Sequence, residues 1–519
     1  MLKKMQCLML ILATLCEVNA YRYLLVSPIP GKSHAILGEA LVENLVNAGH
    51  EVTYITSFIP DKLHSRVTIV DVSENIKRLP EEESFNITAI MDGKNKISSI
   101  AFLASLMMNI SKDTIENPNV QKLITDRTQT FDAVISEWMF NEVYAGFAGI
   151  FNCPFIWFSS IEPHWVLLEL VDEMPNPAYT ATVSSNRIPP LTFEERVTEL
   201  YSQIVGRLMK TFLVSGLEHE IYNDIFVPVI RNRHNFVPDF ETLRYNASLL
   251  LSNSHLSMGI AAKLPPNVIC IGGYHIKPNV KPLPEDLQQL MDNAKHGVIY
   301  FSMGSTLRST NFPDDVKKEL LEMFGKFKQT VIWKFEEQLP NSPSNVHIVQ
   351  WAPQQSILAH ENCILFITHG GLLSTTETVH YGVPTIGIPV FGDQFVNVAR
   401  AVKKGFALKV DLSHTMASDL EIAIGKILDN PKYTTRIKEL SQIYHDRPVP
   451  PAKELVHWVE HVVKTRGAVH LRSPALMVPW YQKLYIDLIL VILVIVIILK
   501  YVFRYLYSIL FTKRKEKVN

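Results

Sequence analysis

Apolar runs of five or six residues alternate with longer stretches of helical period along most of the chain, a pattern that predicts parallel strands joined by crossover helices. In the first half the runs are "RYLLVS" (22–27), "EVTYIT" (51–56), "FDAVIS" (131–136) and "PFIWFS" (154–159), with helical stretches over 35–48 and from Asn141. Residues 160–245 mix Pro-rich turns with amphipathic stretches and define no topology. "KPNVKPLPEDL" (277–287) holds three prolines in eleven residues and reads as a linker. Beyond it the runs are 297–302, 330–335, 346–350, 363–368 and 383–388, with a helical stretch over 314–327. The expected class is therefore α/β, with two doubly wound domains over 21–280 and 281–450. Residues 451–464 predict an amphipathic helix leading towards the chain's last apolar segment.

The two ends change the picture. Residues 1–20 carry Lys3 and Lys4, the apolar core "CLMLILATLC" and small residues before Tyr21, the layout of a signal peptide. Near the other end "LILVILVIVIIL" (488–499) is uninterrupted, and extension over 484–505 gives a stretch long enough to span a bilayer. A juxtamembrane segment (451–483) precedes it, and a basic tail (506–519) with Lys515 and Lys517 near its end follows. Positive-inside bias puts that tail in the cytosol, which makes the chain a single-pass type I protein with its domains lumenal. Two lysines so placed resemble a retrieval signal to the endoplasmic reticulum. Asn86, Asn109 and Asn246 open three sequons. With the signal peptide removed, Cys153, Cys270 and Cys363 remain, too few and too scattered for a disulfide framework or a metal cluster. The 519 residues carry 50 basic and 51 acidic side chains, a balance that excludes a nucleic-acid footprint.

In open α/β sheets, ligands bind outside the carboxyl ends of the strands. There the second half places a Met303-Gly304-Ser305 turn, then Trp351-Ala352-Pro353-Gln354, then His369-Gly370-Gly371 opening a stretch with Ser374 and Glu377, and finally Asp393-Gln394. Singly these are a core tryptophan, a turn and a solvated helix face. Together on one edge they suit a sugar nucleotide. Trp351 and the Gln354 amide suit a flat base, and a glycine-led helix end suits a diphosphate. Glu377 can accept from ribose hydroxyls, and Asp393 with Gln394 from sugar hydroxyls. Neither a G-x-G-x-x-G nor a Walker lysine motif is present, nor an Asp-x-Asp pair for a metal-bridged diphosphate.

The block from "WAPQ" at 351 to "DQ" at 394, with "FITHGGLLSTTE" inside, resembles the signature of the family 1 UDP-glycosyltransferases in its insect form. The likeness runs from signal peptide to basic tail. It implies a GT-B fold, two Rossmann-like domains with the substrates in the cleft between them, plus the C-terminal transmembrane helix. By carry-over, Trp351 and Gln354 match base positions, and Glu377 the ribose position. Ser305, His369, Gly371 and Ser374 match diphosphate positions, and Asp393 and Gln394 sugar positions. Leu373 stands where many relatives have Asn, and Glu137 where many have Asp.

For a catalytic base the first half offers His34, where the first strand's exit loop meets a helix start. Spacing alone does not separate a base from a helix-capping histidine; the resemblance places the family's base here. The helix dipole is expected to keep the ring neutral, and Glu137, closing the "FDAVIS" strand, is the candidate partner. The implied activity is inverting transfer of a hexose, glucose first, from a UDP-sugar to hydroxyls of small lipophilic acceptors, with no metal or other cofactor. Apolar stretches 101–108 and 155–165 are candidate acceptor walls, and a second copy of the chain stays open as a partner. Glucuronic acid as donor sugar, or a binding protein without turnover, are the alternatives. A dinucleotide oxidoreductase is disfavoured by the missing fingerprint.

Overall fold

The computed structural model describes residues 20–62, 64–78, 87–92, 100–171, 175–180, 182, 185–259, 263–304 and 309–516. Most of the signal-peptide expectation, the Asn86 sequon and Ser305 lie outside them. Two parallel sheets result. The first contains β1 (Arg22–Ser27), β2 (Glu51–Thr56), β3 (Val67–Asp71), β4 (Ala133–Glu137), β5 (Phe155–Ser159), β6 (Leu249–Ser252) and β7 (Val268–Cys270) in the order β3-β2-β1-β4-β5-β6-β7. The second contains β8 (Val298–Ser302), β9 (Thr330–Lys334), β10 (Val346–Val349), β11 (Cys363–Thr368), β12 (Thr385–Gly387) and β13 (Ala407–Lys409) in the order β10-β9-β8-β11-β12-β13. Each order reverses direction once, between β1 and β4 and between β8 and β11. A crevice opens at such a switch point because neighbouring crossovers leave to opposite faces.

The runs that read as strands are strands because both faces of a parallel sheet are covered, so a buried strand is apolar throughout. Strands β1, β4, β5, β8 and β11 are almost wholly buried. Four strands escaped the sequence pattern. β3 is an edge strand with exposed and half-buried positions, and β7 and β13 have three residues each. β6, "LLLS", sits just beyond the stretch that defined no topology.

The predicted amphipathic helix forms at Pro451–Lys464, and its destination is a finding of the fold. Leu455, Val459 and Val462 are fully buried in one cluster with Leu37, Leu41 and Leu45 of the first domain's Lys32–Asn47 helix. His50 Nε2 lies 3.0 Å from Glu460 Oε1 across the same contact. The chain thus leaves the second sheet and packs back on the first before it reaches Ile486. Burying such an aliphatic side chain is worth about 1.5–3 kcal/mol, an upper value. This helix therefore ties the two halves together.

A helix from Ile486 to Glu516 follows, and its stretch Ile486–Ile509 (24 residues) is apolar and unburied, long enough to cross a membrane. Cys153, Cys270 and Cys363 are all free thiols, the last of them buried.

Candidate functional site

The carboxyl edges of both sheets face one another. Arg400 of the second domain pairs with Glu162 of the first, and Lys403 Nζ donates to the Pro189 carbonyl at 2.9 Å. Every candidate within the described residues lies on or beside these two edges.

At the first switch point, β1 exits through Pro28-Ile29-Pro30-Gly31 into the Lys32–Asn47 helix, and His34 stands in that helix's first turn. A Cβ on Gly31 would come within 2.9 Å of His34 Cδ2, so glycine lets the imidazole fold back against the loop. Nδ1 of His34 lies 2.5 Å from Glu137 Oε1, at the end of adjacent β4. The other carboxylate oxygen accepts from Ser27 Oγ at 2.5 Å. Ser27 is the last residue of β1, and nothing in its sequence setting marks it as part of this chain of bonds. Glu137 is buried and His34 half-buried. With a carboxylate on Nδ1, that nitrogen carries the proton, and Nε2 keeps its lone pair. The longer Glu side chain therefore reaches the histidine.

One expectation is corrected. Burial does lower the basicity of His34, but the Glu137 charge and hydrogen bond, helped by Asp393, outweigh it and raise the pKa above the ordinary 6.5. A full charge in bonding contact dominates the partial charge of a helix end.

At the second switch point, Gly304 follows β8 with φ of +81°, and His369 follows β11. A Cβ on Gly304 or on Gly371 would come within 2.6 Å of the His369 ring, so two glycines clasp it. Burial, aided by the Lys334 charge, pushes the His369 pKa down to about 4, which leaves a neutral imidazole. Lys334 closes β9 and bonds the Gly304 carbonyl at 3.0 Å and Glu336 at 2.7 Å. It reads as an ordinary strand end in "TVIWKF", so only the fold brings its ammonium to this turn. The helix Leu372–Tyr381 starts directly after Gly371, with its first N–H groups facing the edge.

Ser374 and Glu377 are both buried on that helix. Gln354 Nε2 donates to Ser374 Oγ at 3.1 Å and to Glu377 Oε2 at 2.5 Å, and Gln355 Nε2 reaches Glu377 Oε1 at 2.9 Å. This joins Gln354, the base candidate, to the diphosphate candidate Ser374 and the ribose candidate Glu377. Burial raises the Glu377 pKa against the pull of the two amides. His275, from the strap after β7, lies 3.7 Å from Glu377 and went unseen in the sequence. Trp351, by contrast, is 65% exposed, with Lys32 Nζ 5.1 Å from its ring centre. An exposed indole at a cleft offers a face for stacking.

Asp393 Oδ2 accepts from Asn397 Nδ2 at 2.9 Å, and the same amide bonds the Gly370 carbonyl at 3.1 Å. Asn397 thereby ties the sugar candidates to the glycine pair. Gln394 is buried, and its side-chain oxygen accepts from the Val390 and Phe391 backbones at 2.8 and 3.1 Å. Its acceptor half holds the loop. Leu373 packs against the apolar cluster of the first domain, where an amide would go unpaired. Of the acceptor-wall candidates, Phe155–Ser159 is a buried central strand, whereas Met107 joins Ile29 and Ile110 in a small cluster with Met139 and Phe140. A cavity of about 760 Å³ beside Lys404, Tyr433 and Arg436 contains none of these residues, so the strand ends and not cavity size locate the site. Among the described residues, no three His, Cys, Asp or Glu side chains gather as a metal set.

A family model described as "UDP-glucoronosyl and UDP-glucosyl transferase" matches residues 23–518. The chain belongs to the UDP-glycosyltransferase family. It is 33% identical over 474 residues to UDP-glucosyltransferase 2 of Dactylopius coccus, covering 91% of this chain and 89% of that one. It is 29% identical over 475 residues to human UDP-glucuronosyltransferase 2B10, covering 87% and 86%. Among solved structures, the calicheamicin glycosyltransferase CalG4 superposes with a TM-score of 0.54 at 15% identity, over 86% of this chain and 99% of that chain. The glycosyltransferase VinC, solved with dTDP, gives 0.53 at 15%, over the same shares. The fold is GT-B and the protein is a glycosyltransferase. Near its C-terminus this UDP-glycosyltransferase carries a helix long and apolar enough to cross a membrane.

Asn109 and Asn246, the two sequons within the described residues, are both exposed. Asn246 also accepts a hydrogen bond from Arg472.

Proposed function

We propose that this transferase moves glucose from UDP-glucose to a hydroxyl of small lipophilic acceptors, with inversion, on the lumenal side of the endoplasmic reticulum. The observation that carries the reading is the His34–Glu137 contact facing a glycine-clasped helix start across the cleft. His34 Nε2 takes the proton as the acceptor O–H bond breaks. The oxygen forms a bond to the anomeric carbon, and the carbon–oxygen bond to the β-phosphate breaks with its electron pair going to UDP. Glu137 holds the imidazolium that forms, and Ser27 holds Glu137. The charge released on UDP meets the N–H groups before Leu372, the neutral His369 and the nearby Lys334. This chemistry needs no metal ion.

Trp351 stacks on the uracil, Gln354 and Glu377 take the ribose, Ser305, Gly371 and Ser374 belong with the diphosphate, and Asp393 with Gln394 binds the sugar. The apolar cluster of Ile29, Met107 and Ile110, joined by Met139 and Phe140 just after Glu137, supports a greasy acceptor. The relative named a glucosyltransferase supports glucose; the human relative's name keeps glucuronic acid as the second reading. The span and basic tail support a type I topology, glycosylated at Asn109, Asn246 or Asn86.

The test is product release from membranes bearing the wild-type chain or His34→Ala, each given either UDP-sugar and a panel of lipophilic alcohols and phenols. Glucoside formation that disappears in the variant is the expected result. Glucuronide formation replaces the donor assignment, and wild-type silence with UDP binding intact across a wide acceptor panel overturns turnover itself.

A further inference from the structure

The region that defined no topology in the sequence contains a helix whose polarity is reversed. Phe193–Met209 is helical and continues through a π-helical turn at Lys210–Val214 into Ser215–Ile221. A surface helix of a globular protein ordinarily turns its apolar stripe inward. Here the inward side is polar and bonded. Glu199 accepts from the Thr182 backbone at 2.9 Å and pairs with Arg187 at 2.9 Å. Gln203 donates to the Thr180 carbonyl at 3.1 Å, Arg207 Nε to Glu169 at 2.7 Å, and Lys210 lies 2.9 Å from buried Glu142.

The outward side carries Phe193, Val197, Tyr201, Ile204, Leu208, Phe212 and Leu217, all exposed, with Phe193 and Phe212 at 74% and 77%. From Val197 to Leu217 no charged side chain is exposed. A spacing of three or four residues holds up to Phe212, and the π turn adjusts the register so that Leu217 stays on the stripe.

We propose that this stripe lies in the headgroup–acyl boundary of the membrane that holds the Ile486–Ile509 span, giving the first domain its own contact with lipid. Two observations select lipid over a second copy of the chain. The first is continuity with the root of the span. His219 on the run lies 3.5 Å from Glu241 on the Phe240–Tyr245 helix, the next residue along, Asn246, bonds Arg472, and residues 472–485 then lead to the span. That leading segment exposes Met477, Trp480 and Tyr485, with aromatic rings of the kind that sit at a membrane interface. The second is area. The stripe from Phe193 to Leu217 is about 37 Å long. A stripe one helix wide then covers roughly 370 Å², well short of the roughly 800 Å² per partner of a stable protein interface. In-plane lipid contact has no such threshold and scales with the apolar area buried. The charged face that usually looks to water is here satisfied inside the domain.

The test uses the full chain in phosphatidylcholine vesicles, with Leu208→Cys, Phe212→Cys or, as a control on the second domain's exposed surface, Lys318→Cys, each labelled with bimane against an unlabelled-site background. Brominated phospholipid is expected to quench bimane at 208 and 212 by about twofold and not at 318, with aqueous iodide giving the opposite order. Iodide quenching at 208 and 212 equal to that at 318 overturns the proposal. Shielding from both quenchers also overturns it, in favour of a second copy of the chain.

Discussion

His34 and His369 stand on opposite sides of two equivalent switch points, His34 in the helix that follows β1 and His369 directly after β11, the counterpart of β4. Their neighbours drive them in opposite directions. His34 touches Glu137, and its pKa rises despite burial. His369 is clasped by Gly304 and Gly371 near Lys334, and its pKa falls to about 4. The first is a ring whose charged form has a carboxylate to hold it. The second stays neutral and can only donate or accept hydrogen bonds. In the proposed reading one imidazole does acid–base work and the other electrostatic work, and since burial lowers the pKa of both rings it is the carboxylates near His34 that make the difference.

The sharpest way to break this comparison is His34→Ala, which should lower kcat/KM by roughly a thousandfold while UDP still binds, measured by calorimetry beside turnover. An effect of similar size on UDP affinity would move His34 out of the catalytic role.

Glu137→Gln comes next, with a loss of roughly a hundredfold. Its more telling readout is the pH profile. Catalysis needs neutral His34, so wild-type kcat/KM should fall as pH drops through an elevated pKa, above the ordinary 6.5. Without the carboxylate that raises it, the pKa falls and the acid limb moves to lower pH. A limb that stays in place would mean that another group titrates.

On the other half, Lys334→Met should weaken UDP binding by about tenfold, about 1.4 kcal/mol, with the acid limb unmoved because His34 is untouched. The smallest effect is expected from Ser27→Ala. It removes one hydrogen bond from Glu137 and should slow turnover only about fivefold, with unchanged UDP affinity.

The two edges were not equally legible. In the second domain the ligand candidates sit in one block after cleanly apolar strands, so Trp351, His369, Ser374, Glu377 and Asp393 could be named from spacing and resemblance. Lys334, Asn397 and His275 could not. Each reaches the edge from a strand end, a helix interior or the other domain's strap, with no local pattern to announce it. In the first domain, His34 and Glu137 could be named singly. Their bond, and Ser27 behind it, depend on β1 and β4 lying side by side, although they are far apart along the chain.

What the sequence determined by itself was what local periodicity and composition control: the central strands, the crossover pattern, the amphipathic Pro451–Lys464 helix, the apolar C-terminal helix and the ligand block. These depend on each segment's own apolar pattern. The tertiary structure alone decided which face of a helix finds a partner and which charge stands beside which ring. The Pro451–Lys464 helix returns to the first domain because Leu455, Val459 and Val462 complete an apolar cluster there. The Phe193–Leu217 run turns its apolar stripe outward because its charges find partners inside. Burial lowers the pKa of His34, and it rises all the same because the fold sets a carboxylate from more than a hundred residues away against the ring. Long-range charge and packing are properties of neighbours in space, and the order of residues does not state them.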